Sequence, residues 1–349
     1  MIPDCTTGRV RLPRRRLLAG AGMAAGFAIA PGLRANAAPE VTLRLSTWGA
    51  PGVPQVTVFV SQFTQTVTQL SGGRIAVQHF PAGSLAKEQD VAAAIQSGVV
   101  DISLSTVGNW AATVPTAAAL NSILFAPTDA QFETVVGSGT KLYRSLAADL
   151  QQHGAILLAT LTNGAPTVVS RVPMDTPQAF RGKLVRVYDR ESSLIVQTLG
   201  GSPSTISVSE VYPALQRGTV QAAVGGLQGA AGLKEYEVAK YLLLTNGVFG
   251  LNVTLYVMNK TLFDRLAPDL QKAVLAAGEA AEKATNPAII QSFGKLRDEM
   301  QQHGMQVTSL QPGTPAYVAF AQALKPLIDQ QRAKLQPALV QEMADAIPH

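Results

Sequence analysis

From residue 41 the chain alternates between two hydrophobic periods. Val41, Leu43 and Leu45 alternate with Thr42, Arg44 and Ser46, the period-two pattern of a strand running to Trp48. Val56, Val60, Phe63, Val67 and Leu70 then share one helical face, which Ser71-Gly72-Gly73 ends. A strand opens at Ile75, residues 81–83 form a loop, 91–95 a helix stopping near Gly98, and 99–103 a buried strand. This β-α-β-α-β order predicts an α/β domain on a largely parallel sheet. A helical region over 132–150 and a strand over 155–161 follow.

A second series starts near Asn163. Strands are expected over 167–170, 183–187 and 220–224, with helices over 191–199 and 209–217 between them. Ser207 and Glu210 have capping-box spacing, and Gly218 is a stop signal. The segment 251–258 reads as one more strand, returning to the first domain. From Pro268 the pattern is helical, with Leu270, Val274, Ala277 and Ala281 in register and Pro287 placed to kink or break it. No repeat or low-complexity linker separates the halves, so the chain is expected to cross between two domains twice. The expected division is 38–162 plus about 252–290 for lobe I, and about 163–251 plus 291–349 for lobe II.

Charge changes the picture only at the N-terminus. The formal net charge is +5, but residues 1–37 carry six arginines against the single acid Asp4, and the rest is neutral. A nucleic-acid-binding protein is therefore excluded. Arg14-Arg15-Arg16-Leu17-Leu18, an uncharged Ala/Gly-rich stretch to Ala30 and Ala35-Asn36-Ala37 read together as an export signal cut before Ala38. The Arg-Arg-x-Leu-Leu run is similar to a twin-arginine signal; an ordinary secretory signal is the alternative. The uncharged run is short for a membrane span. The only cysteine, Cys5, lies in this segment, which removes disulfides, thiol nucleophiles and cysteine-held metals from the mature chain.

Enzymatic chemistry has little to stand on. His79, His153, His303 and His349 have no metal-pair spacing, and H-E-x-x-H, G-x-S-x-G and P-loop motifs are missing. Neither a catalytic carboxylate pair nor a cofactor or metal site can be nominated.

Residues 176–187 (TPQAFRGKLVRV), 199–203 (LGGSP) and 210–220 (EVYPALQRGTV) resemble, in order and spacing, the solute-binding proteins of tripartite ATP-independent periplasmic (TRAP) transporters of the dicarboxylate-binding type. Residues 80–85 (FPAGSL), 96–102 (QSGVVDI) and 240–246 (KYLLLTN) extend the likeness over most of the chain. The resemblance implies a two-lobed α/β periplasmic-binding-protein-like fold, with a ligand cleft between lobes and a long helix late in the chain. It implies a non-enzymatic, monomeric periplasmic receptor that hands a small organic acid to membrane permease subunits. It also places Arg186 against the ligand carboxylate, where a guanidinium offers two parallel donors and a charge that persists at any physiological pH.

The departures narrow the ligand. Family members commonly read Val-Asp-Gly-x-Glu-x-Pro where this chain has Val220-Gln221-Ala222-Ala223-Val224-Gly225-Gly226, and Pro166 stands where some carry a second arginine. A monocarboxylate with a less polar body is the expected ligand, with Arg171 or Arg190 as substitutes for the missing cation. Trp48, Asn109 and Trp110 sit where cleft loops emerge from open α/β sheets, each tryptophan being equally suited to core packing. Tyr188, Gly225 and Glu88 complete the candidate binding residues. A ligand-sensing receptor for a signalling protein and a secreted hydrolase with an unrecognised site are the alternatives.

Overall fold

The computed structural model describes residues 38–347, so the export signal read over 1–37 lies outside the described residues. Two sheets organise the chain. The first contains β1 (Val41–Ser46), β2 (Ile75–Phe80), β3 (Ile102–Thr106) and β4 (Ala155–Thr162). The second contains β5 (Thr167–Ser170), β6 (Leu184–Val187), β7 (Ser202–Thr205), β8 (Ala222–Gly225) and β9 (Tyr241–Leu244). β10 (Val253–Asn259) returns to the first sheet, and β11 (Gln306–Ser309) closes the second. The orders are β2-β1-β3-β10-β4 and β11-β9-β5-β8-β6-β7.

The first sheet is mixed rather than largely parallel. β1 runs parallel to β2 and β3, but β10 is antiparallel to both β3 and β4. Its seven residues are all buried, so an apolar run arriving from the second half is covered on both faces. β3 starts later than expected because Arg44 ties down the preceding turn. Its guanidinium donates to Gly98 O and to both Asp101 oxygens, and Asp101 Oδ2 also receives the Arg44 N–H.

Pro287 does not break the long helix, which runs unbroken over Pro268–Gln302. The helix is held to β4 from within. Glu282 accepts from Thr160 N and Ser138 N, while Asn286 accepts from Thr162 N and donates to Thr160 O. Leu270 to Ile289 enter the first core and Met300 enters a core of the second sheet, so one helix spans both. The last helix, Pro337–Ala346, was expected with lobe II; its Met343 is instead buried in the first core, and Glu342 accepts from Ser145 Oγ.

The Ser207 capping box does not form. Ser207 makes no side-chain cap bond and instead donates to Gln89 Oε1, 3.2 Å away on the first-sheet side. Gly218 ends the helix Val208–Arg217 at φ 72°, as a left-handed C-terminal glycine does. Among the described residues, no helix is long and apolar enough to cross a membrane.

Candidate functional site

β6 sits between β7 and β8, and this places Arg186 opposite Ser204 and Ala223. The side chain is only 3% exposed. Nε donates to Ile206 O at 2.8 Å and Nη1 to Val224 O at 2.9 Å. Nη2 reaches Glu88 Oε2 at 3.4 Å, and the guanidinium carbon lies 5.8 Å from the Tyr188 ring centroid. Of five N–H groups, two thus stay uncommitted, directed by carbonyls that fix the guanidinium plane.

Glu88 comes from the other half of the chain, on the turn Glu88–Asp90 after β2. The Arg186–Glu88 pair therefore bridges the two sheets. Burial pushes the Glu88 carboxyl up to about 7, with Arg186 pulling it down and Asp189 pushing it up. A second acid, Glu235, sits on the turn Glu235–Glu237 that follows Lys234 at φ 54°. Burial raises it to about 7 as well, against the pull of Arg186.

These groups line one partly open cavity of about 40 Å³ with Trp48, Tyr188, Gly225, Gln55 and Asn163. At the ~10–15 Å³ one water needs, it holds about three waters in this arrangement. Trp48 donates its Nε1–H to Leu104 O at 2.8 Å, leaving the ring as a wall. Gly226 lets Asn163 sit close beside it: a Cβ there would stand 2.5 Å from Asn163 Nδ2 and the amide would have to move. Gly225 makes no such demand, since its Cβ would meet Arg186 Nη1 at an ordinary 3.6 Å.

Trp110 does not reach the cavity. It is 1% exposed, buried in the first core with its Nε1–H on Ser105 Oγ. Asn109 acts at one remove: its Oδ1 accepts from Thr106 N and its Nδ2 donates to Glu88 O, bracing the Glu88 turn. Arg171 and Arg190 are exposed and neither lines the cavity, so no second cation replaces the missing one. Gln55, Asn163 and Glu235 were not among the residues expected at the site. Glu235 lies in Lys-Glu-Tyr-Glu, which reads as an exposed polar turn, and the left-handed Lys234 and the helices Val208–Arg217 and Leu227–Gly232 packed on the turn leave it buried. Among the described residues, no group of three or more His, Cys, Asp or Glu could hold a metal.

The profile of the family described as bacterial extracellular solute-binding protein, family 7, matches residues 45–335. The chain belongs to this family. As a family 7 solute-binding protein it is similar to the 2,3-diketo-L-gulonate-binding periplasmic protein of Escherichia coli, 26% identical over 72% of this chain and 76% of that protein. The sialic acid-binding periplasmic protein of Vibrio cholerae is 26% identical over 80% of this chain and 85% of its own length. A TRAP periplasmic solute-binding protein from Sulfitobacter with bound β-D-galacturonate shares the fold at TM-score 0.78 and 22% identity, covering 88% of this chain and 99% of that one. A Bordetella pertussis receptor binding pyroglutamic acid does so at TM-score 0.78 and 21% identity, over 88% and 99%.

Proposed function

We propose that this chain is a periplasmic receptor for a small organic acid carrying one carboxylate, and that it delivers the acid to a TRAP-type membrane permease. The observation that carries the reading is Arg186: a guanidinium buried in a cavity between the sheets, oriented by two carbonyls and with donors to spare. The relatives named above bind sugar acids and pyroglutamic acid, which share a carboxylate. With one arginine and no second cation in the cavity lining, one carboxylate is the charge that can be compensated.

The lobes we assign are 38–162 plus about 252–290, and about 163–251 plus 291–336, with the last helix resting on the first. The receptor works as a monomer and without catalysis. Residues 1–37 act as a twin-arginine export signal, so the exported chain should begin at Ala38 by intact mass. A titration calorimetry screen of monocarboxylates, dicarboxylates and neutral sugars tests the assignment. Monocarboxylates should bind tightest and be recovered chemically unchanged; tight binding of a neutral sugar alone, or conversion of the bound acid, would overturn it.

A further inference from the structure

The cavity around Arg186 holds acceptors that a carboxylate, itself an acceptor only, cannot use. Glu88 and Glu235 are 7% and 5% exposed, and both line it. Glu88 is shared with Arg186, but the Glu235 carboxyl accepts no hydrogen bond from any described residue. Gln55 and Asn163, 4% and 7% exposed, line the same cavity, and Gln55 Oε1 and Asn163 Oδ1 have no hydrogen-bond partner in the protein. A buried polar atom left without a partner costs about 1–3 kcal/mol, so the Gln55 and Asn163 oxygens, with the Glu235 carboxyl beside them, call for donors, which water supplies in the ligand-free cavity and a ligand that displaces it must bring.

The charges point the same way. One guanidinium faces two carboxyls, and a ligand that was only an anion would add a third negative group to a small, largely buried space. A ligand with an ammonium restores the balance and supplies three N–H donors.

We propose that the solute is a zwitterion, an amino acid whose carboxylate takes the uncommitted N–H groups of Arg186 and whose ammonium is received by Glu235 and the free amide oxygens of Gln55 and Asn163. This rests on the reading of Arg186 as the carboxylate anchor. Glu88 stays the internal partner of Arg186, so the bound state sets two cations against three anions where a plain acid would set one against three. The charged and titratable groups facing the pair are Arg186 of β6, Tyr188 just after it and Asp189 at the cap of the next helix. Because burial holds Glu235 near 7, an arriving ammonium drives it to the ionised form and releases a proton. A plain acid does the reverse and takes a proton up.

Calorimetry at pH 7, in two buffers of different ionisation enthalpy, reads both signs. The probes are matched triads of one carbon skeleton: alanine, lactate and propionate; leucine and its hydroxy and unsubstituted acids; phenylalanine, phenyllactate and phenylpropionate, in both enantiomers where they exist. In at least one triad the amino member should bind about ten-fold or more tighter than its partners, a difference of about 1.4 kcal/mol, and should release protons. Glu235→Gln, checked for folding by its melting curve, should bring the ratio of amino to hydroxy acid affinity toward one. Equal or tighter binding of the hydroxy and unsubstituted acids, proton uptake with the amino acid, or no binding by any amino acid overturns the inference. Acids that bind through Arg186 without an amino preference sink the zwitterion alone. Binding unchanged in Arg186→Lys sinks the carboxylate anchor with it.

Discussion

A carboxyl such as Glu235, whose folded value stands near 7 against an ordinary 4.5, contributes to the pH dependence of stability with a definite sign. Below about 4.5 it is protonated in both states and costs nothing. As pH rises toward 7 the unfolded chain releases its proton first, so folded stability falls, and above 7 the loss is complete. Glu235→Gln should therefore stabilise the ligand-free protein at pH 8 by up to about 3 kcal/mol, and leave it unchanged at pH 4. Melting curves at the two pH values check this; an equal shift at both would contradict the burial account. Residue-level legibility follows the same line. Arg186 stands in an ordered motif and Glu88 in the loop between two of them, and both line the cavity. Glu235 was not readable, because its burial comes from the turn after Lys234 and the elements packed on it, and nothing local marks it. Trp110 shows the converse: a loop position beside a strand end fits cleft and core equally, and packing against the first core decided for the core.

Elements were legible where their apolar period was long. The helix Pro54–Leu70 and strand β4 fall where the pattern puts them. β7, β9 and β11 were not expected, although β5, β6 and β8 are equally short and were; in β7, Pro203 speaks against a strand except at an edge, where β7 lies. Pro287 was weighed by a local rule that side chains override: Glu282 and Asn286 tie the helix to β4 on the turn before the proline. The same contact makes Gly278 a fixed point, since a Cβ there would stand 2.4 Å from Leu158 O. Gly278→Ala should cost about 1–3 kcal/mol as overpacking does. Gly294→Ala, in the same helix with nothing within 4 Å of its Cβ, should instead gain about 0.5–1 kcal/mol. Chemical denaturation of the pair measures both, and a loss at Gly294 equal to that at Gly278 would argue against close helix–sheet packing as the cause.

At the scale of the whole molecule, contacts join one sheet's elements to the other's, the Arg186–Glu88 pair inside the cavity and others outside its lining. Asn121 Nδ2 donates to Asp189 Oδ2, Ser207 to Gln89, and Arg186 to Glu88. A Cβ on Gly108 would stand 2.6 Å from Asp189 Oδ2, so the approach is close. The cavity is lined from both halves of the chain, so a solute enters when these contacts part and is held when they reform. Solution scattering should accordingly show a smaller radius of gyration at saturation with a tightly bound acid than without it; an unchanged value would speak for a fixed cleft. The central claim, that a buried guanidinium captures the solute's carboxylate as the halves close, is tested most directly by calorimetry of Arg186→Ala and Arg186→Lys. The ligand is the tightest acid from the screen, and melting curves confirm that each variant is folded. The account predicts a loss of about 3–5 kcal/mol for alanine, as for a broken buried pair, or roughly two to four decades in Kd. Lysine should recover part, keeping the charge and losing the paired donors. A loss below about 1 kcal/mol, the worth of an exposed ion pair, would contradict it.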